Sequence, residues 1–105
     1  MEKDLLKIIE HFKVNNQQRK LQEEVFELQE AIFDIQPSGW EMDYHYYDEL
    51  EKEYKNHIAE EIADCMVILE QFKLHYGISN EEITKIFWEK VNRTLERIES
   101  GHYEK

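Results

Sequence analysis

The chain has 105 residues, with 24 acidic and 13 basic side chains, a net charge of −11, three glycines, one proline and one cysteine. That balance argues against nonspecific attachment to DNA, RNA or anionic lipid through charge. A lone cysteine excludes an internal disulfide, and no apolar run approaches the ~20 residues of a membrane span. The opening Met1-Glu2-Lys3-Asp4 has no signal-peptide character. A single domain, residues 1–105, in a reducing cytoplasm is therefore expected. Leu5, Leu6, Ile8, Ile9 and Phe12 follow helical spacing and predict a first helix over 3–14. Asn15 and Asn16 interrupt it and are candidates to cap the next. The second helix is predicted over about 17–35, with Leu21, Val25, Leu28, Ile32 and Ile35 as its apolar stripe and Pro37-Ser38-Gly39 ending it. Residues 38–48 are the least regular stretch and carry Trp40, Tyr44, Tyr46 and Tyr47, an aromatic group read as a loop or subunit contact in preference to a base-stacking surface.

The third helix is the longest, about 47–76, with Leu50, Tyr54, Ile58, Ile62, Cys65, Leu69, Phe72 and Tyr76 at steps of three and four. Gly77 supplies a left-handed stop. Ser79-Asn80-Glu81-Glu82 matches a capping box and opens a fourth helix at about 80. Its stripe is Ile83, Ile86, Phe87, Val91, Leu95 and Ile98, and Ser100-Gly101 closes it. With no strand alternation, repeat or low-complexity segment, the expected fold class is all-α, with four helices and the second and third antiparallel and facing each other.

Two carboxylate pairs carry the chemical signal. Glu24 with Glu27 and Glu61 with Asp64 are each spaced by three, which puts both members on one helix face a turn apart. Each pair adjoins an apolar stripe, where a carboxylate is costly without a partner. Four such groups brought together repel one another unless a cation neutralises them, so at least one is expected to titrate above the ordinary carboxylate range. An all-oxygen set suits a hard divalent ion, Mg2+ first and Mn2+ second. The bland alternative is a solvated acidic face. Glu23 and Glu60 stand about 100° round the helix from their neighbours and are the weaker members of their runs. Lys90, Arg93 and Arg97 form a basic strip on the fourth helix. The strip suits either surface pairing with nearby glutamates or contact with phosphate oxygens. Cys65, set among Ile62, Met66 and Leu69, reads as a core residue, and His57 as a surface or supporting one.

The order Glu23-Glu24-Val25-Phe26-Glu27, a spacer, then Glu61-Ile62-Ala63-Asp64 resembles the signature of the MazG-like, all-α nucleoside triphosphate pyrophosphohydrolases, a superfamily that includes the dimeric dUTPases. Gln17-Gln18-Arg19-Lys20-Leu21 upstream, and Lys90-Val91-Asn92-Arg93 followed by Gly101-His102-Tyr103 downstream, extend the resemblance over roughly residues 15–103. The spacer, residues 28–60, is longer than is typical of the MazG-like members, which affects the segment that would border a base pocket. The resemblance implies a MazG-like four-helix bundle completed by homo-oligomerisation, as a dimer or tetramer. Glu24, Glu27, Glu61 and Asp64 would be the ligands of Mg2+ or Mn2+. Lys90 and Arg93 would contact phosphate, with Arg97 beside them, and Gln17 and Asn92 would hydrogen-bond base or sugar. Glu27 is one candidate to accept the proton of the attacking water. The expected activity is hydrolysis of a nucleoside triphosphate to monophosphate and pyrophosphate, in nucleotide-pool cleaning.

Within that expectation, a dUTPase- or dCTPase-like preference for a pyrimidine deoxynucleotide is the runner-up. A non-enzymatic helical module whose acidic face binds a basic partner is the alternative of a different class. A ferritin-like di-iron bundle needs Glu-x-x-His on two helices, and the spacing occurs here only at Glu99 and His102, where the fourth helix ends.

Overall fold

The computed structural model has four helices among its described residues: α1 (Glu2–Phe12), α2 (Val14–Gly39), α3 (Tyr44–His75) and α4 (Asn80–Glu99). It describes residues 1–39 and 44–102, with side-chain surroundings for 1–33 and 52–102. There is no strand among the described residues, and none of the described helices is long and apolar enough to cross a membrane. The chain divides into two compact units, Met1–His75 and Tyr76–Lys105.

In the first unit α2 packs on α3 and α1 lies against both. Residue numbers rise along α2 as they fall along α3, since Gln17 meets Gln71 while Glu24 meets Glu61 and Asp64. The two helices are therefore antiparallel, as the sequence predicts. The phase of their buried faces differs from expectation. On α2 the covered row is Gln17, Leu21, Glu24, Leu28 and Ala31, at steps of four and three. On α3 it is Tyr54, Ile58, Glu61, Cys65, Ile68 and Phe72, at the same steps. Val25, Ile32, Ile62 and Leu69, expected in the stripes, are exposed. The covered rows keep the heptad spacing of two helices packed side by side, and polar residues occupy some of their positions.

Gln17 and Gln71 are both buried and satisfy each other, the Gln17 Nε2 donating to Gln71 Oε1 at 2.9 Å while Gln71 Nε2 donates to the Val67 carbonyl at 3.2 Å. Two buried amides joined this way avoid the 1–3 kcal/mol penalty of about that size for an orphaned buried polar group.

The α1–α2 junction is set by Lys13, which has φ 71° and ψ 152°, a conformation that only glycine adopts without strain. Its N–H donates to the Ile9 carbonyl at 2.8 Å, and its own carbonyl accepts from the Gln17 N–H at 3.1 Å. Asn16, expected to cap the start of α2, instead turns back and donates its Nδ2 to the Phe12 carbonyl at 2.6 Å. It closes α1, because α2 has already begun at Val14. At the other end α2 continues through Pro37 to Gly39, where the proline nitrogen has no N–H to offer the preceding turn. Trp40 lies outside the described residues. Tyr44, Tyr46 and Tyr47 fall in the first turn of α3, with side chains outside the described set.

The second unit is α4 with its caps. Ser79 accepts from the Glu82 N–H through its Oγ at 3.1 Å, one half of the expected capping box. At the far end Gly101 (φ 75°) lets His102 N–H reach the Arg97 carbonyl at 2.9 Å and its own N–H reach Ile98 at 3.1 Å. That pair of bonds is a Schellman stop.

Candidate functional site

The phase of the two covered rows decides where the carboxylates go. Glu24 sits between Leu21 and Leu28, and Glu61 between Ile58 and Cys65, each in a position the helix pair fills elsewhere with apolar side chains. These two acids are therefore in the rows, and not at their margins. Glu24 is 5% exposed and Glu61 half-buried. Asp64, one turn beyond Glu61, is exposed at the edge. One carboxylate oxygen from each of Glu24, Glu61 and Asp64 can be chosen so that all three lie within 4.8 Å of one another.

Glu24 Oε1 accepts from Lys20 Nζ at 2.8 Å. Glu24 Oε2 and Glu61 Oε2 are buried and have no hydrogen-bond donor. The Lys20 ammonium holds the Glu24 carboxyl below its usual range, an effect opposed by burial, and the same contact raises Lys20. Glu27 lies beside the triad on α2 but is exposed and outside the set of three. The Glu24 charge first, then burial and the Glu61 charge, push Glu27 upward. It is the raised carboxyl that crowding of the acids demands. Once protonated, Glu27 supplies a hydrogen bond to Glu24 that the ionised cluster lacks. Cys65 is buried at 7% exposure, and its thiol is pushed up by burial and by the neighbouring carboxylates. A thiol held protonated in this way is a core group and not a nucleophile.

A cleft of about 480 Å³ opens next to the triad. Ile8 and Phe12 of α1 form its apolar wall, Arg19 and Lys20 of α2 supply positive charge, and Glu24 and Asp64 reach its floor. Gln17 also lines it, but the amide is committed to Gln71. Gln17, expected to hydrogen-bond a base or sugar, has its amide engaged in the core by Gln71. Lys90, Asn92 and Arg93 are exposed on α4 and Arg97 is half-buried there, and these belong to the second unit. Arg19 and Lys20 were not singled out from the sequence as phosphate-binding candidates. The available signal was their place one turn ahead of Glu23 and Glu24 on the same helix.

No family model matches the chain, and no characterised protein or solved structure matches it either.

Proposed function

We propose that the protein is a divalent-cation-dependent nucleoside triphosphate pyrophosphohydrolase, releasing monophosphate and pyrophosphate. The observation that carries the reading is the pair of buried, donorless oxygens, Glu24 Oε2 and Glu61 Oε2, in rows that otherwise exclude charge. Leaving a carboxylate so placed is strongly unfavourable unless a positive charge completes it. The donor set is all oxygen and spans a hard-cation distance, which favours Mg2+ or Mn2+. When bound, such an ion polarises phosphate oxygens and makes water a better nucleophile.

The chain's own groups supply the rest. Glu24, Glu61 and Asp64 hold the ion, and the cleft next to them has the charge and the apolar wall to seat a phosphorylated compound with an aromatic base. Glu27, exposed beside the triad and outside its set of three, is the candidate to take a proton from the attacking water. Lys90 and Arg93 stay in this reading as phosphate contacts, with Arg97 and Asn92 beside them. For these, Arg93→Ala and Lys90→Ala should lower kcat and kcat/KM together. A second copy of the chain covering the exposed apolar rows of α2 and α3 completes the reading.

The deciding experiment is product analysis over a panel of ribo- and deoxynucleoside triphosphates, with chelator, Mg2+ or Mn2+. Pyrophosphate released only with the cation supports the assignment, and the panel names the base. Orthophosphate as the product, or activity undiminished by chelator, would refute it. No turnover of any nucleotide, together with binding to a basic protein partner, would favour the interaction-module alternative.

A further inference from the structure

Lys20 touches two things at once. Its Nζ is 2.8 Å from Glu24 Oε1 and 3.8 Å from Glu23 Oε2, and its side chain is 51% exposed where that of Glu24 is 6%. The ammonium is thus held on a buried acid while its half-exposed side chain lines the same cleft as Arg19. An ordinary exposed ion pair one turn apart contributes little to stability. This pair differs because the acid is buried and its second oxygen has no donor, so the triad leans on the lysine for charge. Lysine is also the cation best suited to leave. Its charge is compact, its four-carbon stem is flexible and its three donors carry no fixed orientation.

We propose that Lys20 is a displaceable counter-ion: it neutralises Glu24 while the triad holds no divalent cation, and on cation binding it swings into the cleft to bind the phosphate oxygens of the substrate. The inference rests on the reading of Glu24, Glu61 and Asp64 as a divalent-cation site. A doubly charged ion competes for the same Glu24 oxygens, and the released ammonium needs new acceptors. The cleft that Lys20 already lines offers the space for them. The two binding events are then coupled through one side chain, and by linkage each strengthens the other. Arg19 lines the same cleft without an ion pair to the triad, so it should serve the anion alone.

The test uses Mn2+ alone, and then the manganese complex of inorganic tripolyphosphate on the manganese-saturated protein, each followed by calorimetry. Lys20→Met and Lys20→Gln should bind Mn2+ about tenfold more tightly than wild type, since no resident charge has to move, and bind the tripolyphosphate complex about tenfold more weakly. Arg19→Gln should weaken only the second. Weaker Mn2+ binding in both Lys20 variants would overturn the proposal and make the lysine a positioning group for Glu24. Tighter Mn2+ with unchanged tripolyphosphate binding would overturn it too, leaving the lysine as a mere repulsive neighbour. Wild type that binds Mn2+ together with Lys20 variants indistinguishable from it would sink the exchange alone, whereas wild type that binds no Mn2+ would remove the cation site and the exchange together.

Discussion

Glu61 occupies a place between Ile58 and Cys65 that a leucine would fill without loss to the helix pair. Its buried Oε2 has no donor, so Glu61→Leu should stabilise the cation-free protein, by roughly 1–2 kcal/mol, while removing Mn2+ binding. Chemical denaturation in chelator measures the first effect and calorimetry the second. A variant less stable than wild type in chelator would show that the glutamate has a structural partner. Glu27 makes a separate, pH-dependent prediction. Its carboxyl is raised in the folded state by Glu24, burial and Glu61, so its stabilising contribution is full below the unfolded value and is lost as pH rises through the folded one. Glu24 is lowered by Lys20 and runs the other way, its contribution being present above the unfolded value and lost as pH falls through the folded one. Glu27→Gln should therefore flatten the decline in thermal stability of the cation-free protein between mildly acid and neutral pH, whereas Lys20→Met should steepen it by taking away the charge that favours ionised Glu24. Melting curves across that range, recorded in chelator, distinguish the two signs.

At the scale of the helix, the sequence pattern marks four helices and both ends of α4, Ser79 at its start and Gly101 after its last turn, but neither end of α2. The rotation of α2 and α3 was not legible from the same pattern. Counting apolar residues selects Val25, Ile32, Ile62 and Leu69, but the covered rows run through Gln17, Glu24 and Glu61, with buried Gln71 beside them, and such counting passes over all four. Only their pairing across the interface shows that these polar residues are inside, and pairing is a tertiary fact. The carboxylate spacing did locate three acids that come together. It did not separate Glu27 from them, since a step of three is shared by Glu24–Glu27 and Glu61–Asp64 alike; Glu27 and Asp64 are both exposed, and only where their carboxylate oxygens lie tells them apart. The sequence points to Asn15 and Asn16 for the α1–α2 break, because nothing about a lysine announces the positive φ found at Lys13. That strain yields a prediction. Lys13→Gly relieves a backbone conformation costing about 1–3 kcal/mol against a loss of ~0.5–1 kcal/mol from the freer unfolded chain. The variant should gain up to ~2.5 kcal/mol by denaturant titration, with α1 still docked, and a loss of stability would place the junction in another conformation.

Across the molecule, the same rotation that buries Glu24 and Glu61 turns large apolar side chains outward. Val25 and Ile32, and Phe26 and Phe33, form two rows seven residues apart on α2, while Ile62, Met66 and Leu69 form a row at steps of four and three on α3. Scattered exposed apolar residues need no explanation, but rows at heptad spacing are what a further helix packs into. The second row on α3 runs alongside the first and repeats its spacing, so the helix is built to be covered on two faces. A second copy of the chain is the partner proposed here, since an isologous contact lets one row meet its own equivalent. Sedimentation should then find a dimer or larger species at micromolar concentration, with a melting temperature that rises with protein concentration. Met66→Glu places a charge in the middle of the α3 row and should shift the species toward monomer and abolish the concentration dependence. Because Met66 is 54% exposed within the single chain, the substitution should leave helicity intact by circular dichroism. A wild type that sediments as a monomer throughout, and a Met66→Glu variant that melts identically, would mean that the α3 row is covered by something other than a copy of this chain.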